Sequence, residues 1–222
     1  MSPAPTGTVR PAVTSSEKRS PRGPYAGTPA RRAAIVQAAR ESFVEHGYDE
    51  ASLRDIARRA GLSHPGLLHH FKDKAELLDA VLRERDDAGR AAAQHALHAG
   101  ASRGAVFAEI LRRDAEEPEV TRLWTTLAAA ASNPAHPAHE YFTARYARQR
   151  QEIERSLTER EDVALPADIA ASDAAALVLA TLSGLQLQAL LDPDLDVIGP
   201  LRRFVDLLFG ADPEADAGPG AA

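Results

Sequence analysis

Apolar residues recur along this chain every three to four positions, and capping or chain-breaking residues bound each run. Thr28-Pro29 supplies an N-cap followed by proline at the first helical position. Ile35, Ala38, Ala39, Ser42, Phe43 and His46 then fall on one helical face, and Gly47 closes it as a left-handed cap. A second helix opens at Ser52, where Ser52-Leu53-Arg54-Asp55 has capping-box spacing, and runs to about Ala60. Gly61 breaks it, and Ser63 caps a short third helix reaching about His70. Asp73 caps a fourth helix with Glu76 three residues on, and Leu77, Leu78, Val81 and Leu82 form its apolar face. Beyond residue 85 the helical period returns near 101–115, 118–131, 137–160, 168–191 and 195–209. Asn133-Pro134, His136-Pro137, Leu165-Pro166 and Asp192-Pro193 mark boundaries, because a residue before proline leaves the helical region. No stretch alternates as a strand would. The prediction is an all-α chain of about nine helices.

Composition adds a division. Residues 1–27 are rich in Pro, Ser, Gly and Thr, with Arg10, Lys18, Arg19 and Arg22 set against Glu17. This predicts a disordered basic arm, which either follows DNA or is simply unstructured. The tail at 211–222, ADPEADAGPGAA, is too small and polar to pack and is predicted to be flexible. The formal net charge of −6 argues against a polyanionic partner until its distribution is read. Residues 1–85 carry 14 Arg and Lys against 10 Asp and Glu, whereas residues 86–222 carry 12 against 22. Such a split suggests a polyanion-binding part joined to a part with another task.

There is no cysteine, which excludes disulfides and thiolate metal sites. The N-terminus lacks an apolar signal core and no run of about 18 apolar residues is apparent, so a cytoplasmic protein without a membrane partner is expected. Nothing forms a nucleophile–base pair or a glycine-rich phosphate loop, so neither an enzyme nor a cofactor is predicted.

The stretch GLSHPGLLHHFKDK, residues 61–74, joins the second helix to the fourth. Two helices of about eight residues joined by a short glycine turn are the helix-turn-helix pattern. Gly61 permits the positive φ of the turn, Ala57 permits close crossing, and Ile56, Leu62, Leu67 and Phe71 form a small core. Ser63, His64, Pro65, Gly66, His69 and His70 remain on the outer side or leading turn, where a helix in the major groove reads bases. The histidines lack the i, i+3 or i, i+4 spacing of a helical metal site, so no metal is predicted. His70 is either a phosphate contact or a packed, satisfied histidine. At least one of Arg58 and Arg59 reads as a solvated face.

IVQAARESFVEHGYDEASLRDIARRAGLSHPGLLHHFKDKAELLDAV, Ile35 to Val81, closely resembles the signature of tetracycline-repressor-like (TetR) regulators. The resemblance implies a three-helix DNA-binding domain at 28–75 and an effector-binding and dimerisation domain at 76–210. It implies a homodimer on a pseudo-palindromic double-stranded operator, most often a repressor released by a small molecule. Arg54 is then the candidate for a bidentate guanine contact, and Ser63, His64, Pro65 and Gly66 are base-facing. His70 and Lys74 match phosphate-holding positions, and Ser52 caps its helix and contacts phosphate. Where the family usually has tyrosine this chain has Leu68, and the neighbouring His69 is the candidate to compensate.

LWTTLAAAASNPAHPAHEYFTARYARQRQEIERSL and LSGLQLQALLDPD resemble the betaine-regulator-like C-terminal type. That resemblance implies a partly apolar effector pocket, for which Phe107, Trp124, Leu127, Tyr141, Phe142 and Tyr146 are candidates unless they are core. His136, His139 and Arg145 are candidates for its polar groups. Residues 168–209 carry more apolar surface than one small bundle buries, and the family pairs two such helices from each subunit. Leu177, Leu182, Leu185, Leu201, Phe204, Val205 and Leu208 are the dimer candidates, alongside Ala180, Ser183 and Gly184 for close approach.

Overall fold

The computed structural model of the chain describes residues 28–159, 165 and 168–209. The expectations for the basic arm and the flexible tail lie outside these residues. Within them the fold is all-α, with nine helices and no strand. Four helices build the N-terminal half: α1 (Thr28–Glu50), α2 (Leu53–Arg59), α3 (His64–Leu68) and the long α4 (Lys74–His98). Five more follow: α5 (Arg103–Glu116), α6 (Pro118–Ala130), α7 (His139–Thr158), α8 (Ala171–Leu191) and α9 (Ile198–Phe209). Gly47, at φ 77°, interrupts α1 where a positive φ was expected, and one further turn reaches Glu50.

Two cores organise the chain. In the first, Ile35, Phe43, Ile56, Leu67, Phe71 and Leu78 interlock α1 to α4. The same core takes in Leu127 and Ala131 from the end of α6 and Tyr141 and Phe142 from the start of α7. The proposed division at residue 75 is therefore not a gap, because α4 serves both halves and α1 packs on α6. The second core gathers Leu111, Ile153, Val178, Leu201 and Val205 from α5, α7, α8 and α9.

The dimer candidates need correction. Leu201 and Val205 are fully buried, and Leu182 and Leu208 nearly so, inside one subunit. Leu201, Val205 and Leu208 form an i, i+4, i+7 stripe on α9, which packs on α5 so closely that a β-carbon at Gly104 would sit 2.6 Å from Asp206 Oδ1. Leu177 is exposed, and Leu185 and Phe204 are half-buried. Beyond Leu68, the exposed large apolar residues among those described are Leu177, Leu187, Leu191, Leu195, Ile198 and Leu207.

By length and composition α8 is apolar enough to cross a membrane, because scattered Ser, Thr and Gln interrupt its apolar run without lowering its mean hydropathy much. Its Ala174, Ala175, Val178, Leu179 and Leu182 are nonetheless buried against neighbouring helices. Its Gln186 also donates to the buried carboxylate of Asp114 at 2.5 Å. Those contacts make α8 a core helix with one uncovered face.

Candidate functional site

The α2–α3 unit is held from both ends. Ser52 caps α2 by accepting from the Arg54 N–H at 3.3 Å. The expected capping box does not close: Asp55 instead accepts from Arg58 at 2.5 Å and Arg59 at 2.6 Å. Those two guanidinium bonds hold the Asp55 carboxyl below the usual carboxylate range. Arg59 also reaches Glu45 at 2.6 Å, tying α2 to α1, while Arg58 points into solvent. Gly61 takes φ +67° at the turn. The Gly66 N–H then donates to Ser63 Oγ at 3.2 Å, capping α3 as expected. Leu67 and Phe71 fix the inner face of α3 against Ile56 and Ala57.

Arg32 closes the far end of α3, donating to the His70 carbonyl at 3.0 Å with its guanidinium 4.0 Å from the Phe71 ring centroid. Sequence reasoning missed this residue, because nothing local distinguishes it from a solvated arginine on α1.

The outer side carries the base-reading candidates. Ser52, Arg54, Ser63, Pro65 and His69 are exposed, and His64, Gly66 and His70 are half-buried. The Arg54 guanidinium has no hydrogen-bond or ion-pair partner among the described residues. Leu68 is 38% exposed, and the His69 and His70 rings meet edge-on at 5.8 Å.

Lys74 has a different geometry from the one expected. Its ammonium donates to the carbonyls of Tyr48 and Asp49 at 2.8 Å and of Ala51 at 3.1 Å, and lies 4.7 Å from the Tyr48 ring centroid. All three N–H donors are thus engaged in closing the α1–α2 corner, and a phosphate contact from Nζ would have to displace one.

A cavity of about 430 Å³ opens between α4, α5, α6, α7 and α8, within the usual range for small-molecule sites. Phe107, Trp124, Tyr146 and Arg145 line it as anticipated. Leu127, Tyr141 and Phe142 do not, because they complete the first core. The Tyr141 hydroxyl donates to the Leu82 carbonyl at 3.0 Å, and burial pushes its phenol above the usual range. His136 and His139 also lie outside the lining; each engages backbone nearby, His136 at the Ala138 N–H and His139 at the Ala131 carbonyl.

What the sequence did not reveal is the polar wall. Arg85, from α4, donates to Asp114 at 2.8 Å, and Arg145 donates to Asp86 at 3.0 Å, with Arg148 on the same carboxylate. Trp124 sits between two cations, 5.3 Å from Arg85 and 5.7 Å from Arg145. The signal was present as Arg85, Asp86, Gly89 and Arg90, one face of α4 at helical spacing, which also suits a solvated surface.

With this geometry established, comparison with known proteins becomes specific. The profile described as "Bacterial regulatory proteins, tetR family" matches residues 35–81. A second, "BetI-type transcriptional repressor, C-terminal", matches residues 101–209, so the two together span most of the chain. The chain belongs to the tetR family of bacterial regulatory proteins. It is similar to the HTH-type transcriptional repressor Rv1474c of Mycobacterium tuberculosis, 32% identical over 45% of this chain and 59% of that protein. It is also similar to the HTH-type transcriptional activator FasR of Mycolicibacterium smegmatis, 47% identical over 26% of each chain. The chain therefore spans less than two thirds of these relatives. A Rhodococcus sp. crystal structure assigned to the same family superposes with a TM-score of 0.67 at 23% identity, covering 82% of this chain and 99% of that one. As a tetR-family chain it carries the three-helix unit within the matched residues 35–81.

Proposed function

We propose that this chain is a cytoplasmic, sequence-specific transcription repressor that binds a pseudo-palindromic DNA operator as a homodimer and is released by a small molecule. The observation that carries the reading is the uncommitted Arg54 guanidinium beside the exposed leading turn of α3. The helices that carry them are held in place by Arg32, Arg59 and the Leu67–Phe71 core, which presents both from a pre-organised unit. Repression, rather than activation, is favoured by the longer alignment with a repressor and by the repressor-type C-terminal profile.

Release follows from connectivity. The same α4 carries Lys74 at the α1–α2 corner and Arg85 and Asp86 in the cavity wall, roughly 16 Å further along the helix. A ligand that moves α4 or α6 thus changes the separation of the two reading helices in the dimer. A coupling of about 1–3 kcal/mol suffices for regulation.

The test is operator affinity by mobility shift. Arg54→Ala is expected to weaken it by about 1–3 kcal/mol, roughly 5- to 150-fold, and to relax preference at one base pair of each half-site. Undiminished affinity and unchanged preference would remove Arg54 from the interface. His69→Ala is the companion measurement, and an unchanged affinity there would end the idea that it compensates for Leu68.

A further inference from the structure

The cavity wall has the opposite charge to the domain around it. Seven arginines and three carboxylates line it, although residues 86–222 carry 12 basic residues against 22 acidic ones. The carboxylates are already committed: Asp86 holds both Arg145 and Arg148, Asp114 holds Arg85 and Gln186, and Glu152 lies 3.9 Å from the Arg148 Nε. Arg113, half-buried, has no hydrogen bond or ion pair among the described residues. Gly89 makes room for it, since a β-carbon there would lie 3.3 Å from its guanidinium.

Unpartnered polar atoms belong to residues around the same place. Among the described residues, four buried side-chain atoms lack a hydrogen bond, and three of them belong to cavity-lining residues of α7: Arg148 Nε, Gln149 Oε1 and Ser156 Oγ. Two of these carry N–H or O–H donors. Buried groups of this kind cost free energy unless something pairs with them. Phe107, Ile110, Leu179 and Leu182 give the remaining wall an apolar surface.

We infer that the cavity takes an organic anion, a carboxylate or phosphate monoester carried on an apolar body, with Arg113 as its charge partner. This rests on the reading of the cavity as the effector site. A negative head group pairs with the half-buried Arg113, which no carboxylate among the described residues engages. A neutral molecule would leave the Arg113 charge unpaired, and a cation would meet repulsion. Burial already lowers the pKa of Arg85, so the wall holds its positive charge at a cost that an anion relieves.

The full chain can be titrated with decanoate, decyl phosphate, decanol and decyltrimethylammonium. Binding is followed by calorimetry and by emission of Trp124, the single tryptophan, which lines the cavity. At least one anion is expected to bind saturably and at least tenfold more tightly than decanol, and which anion wins separates carboxylate from phosphate. Decyltrimethylammonium is expected not to bind. Arg113→Gln, which breaks no hydrogen bond or ion pair among the described residues, should weaken the anion at least fivefold while leaving decanol unchanged. Equal or tighter binding of decanol or the cation overturns the assignment, as does failure of both anions to saturate. Operator displacement is scored separately. An anion that binds in the cavity yet leaves the DNA complex intact removes the effector reading and leaves this assignment standing.

Discussion

Replacing Asp114 with alanine is expected to destabilise the chain by about 3–5 kcal/mol, the usual cost of stranding one partner of a buried ion pair. Its carboxylate is 6% exposed and joins three helices: it accepts from Arg85 of α4 at 2.8 Å and from Gln186 of α8 at 2.5 Å. Without it, Arg85 keeps the half-exposed Glu117 at 3.6 Å and the Trp124 ring, and the Gln186 amide loses this acceptor. For a chain of this size the melting temperature should fall by about 6–20 °C, followed by far-ultraviolet circular dichroism. Asp79→Ala, which breaks an exposed pair with Arg83, is the control and should cost about 1 kcal/mol or less. A loss at Asp114 no larger than at Asp79 would show that the carboxylate does not hold the wall together. The double replacement Arg85→Met with Asp114→Leu should recover most of the stability, because no buried charge is then left unpaired.

Converting Leu177 and Leu187 together to glutamate is expected to yield a folded monomer whose operator affinity is about 10²–10⁴-fold weaker, the factor supplied by two linked half-site contacts. Leu177, Ala180, Gly184, Leu187 and Leu191 form a seam of alternating three- and four-residue steps on the uncovered face of α8. A β-carbon at Gly184 would meet nothing within 4 Å of its own subunit, leaving space for a second helix to approach. Each buried leucine is worth about 1.5–3 kcal/mol, and the double change removes two from each protomer. Sedimentation velocity gives the mass and a mobility shift gives the affinity. A variant that remains dimeric would move the interface elsewhere, toward Ile198 and Leu207 on α9.

The parts of this molecule that were legible in its sequence are those set by local rules. Gly47 and Gly61 take positive φ at their predicted turns, and Ser63 and Asp73 cap α3 and α4 through hydrogen bonds that span only three residues. The reading unit was legible for the same reason: Ile56, Ala57, Leu67 and Phe71 lie within sixteen residues of one another in sequence. Ser52 shows the limit of such rules, since Asp55 matched the capping-box spacing but found stronger partners in Arg58 and Arg59.

Periodicity names the apolar residues of a helix without saying which neighbour covers them. Leu201 and Leu207 both read as apolar positions of α9, yet Leu201 is fully buried against its own subunit and Leu207 is 80% exposed. Tyr141 and Phe142 likewise looked like pocket aromatics but complete the core that joins α7 to the N-terminal half. The arginine wall was invisible because Arg85, Arg113 and Arg148 come from three helices, and only their convergence in space distinguishes them from solvated residues.

The central claim is that a pair of these chains reads a defined DNA sequence through α3. Selection of bound sites from a random duplex pool with the full chain, repeated at two salt concentrations, tests it most directly. The account predicts enrichment of one pseudo-palindrome with half-site centres about 34–36 Å apart, or a multiple of that, with affinity falling steeply as salt rises. Enrichment of no sequence over the starting pool, with binding that depends on salt alone, would contradict it.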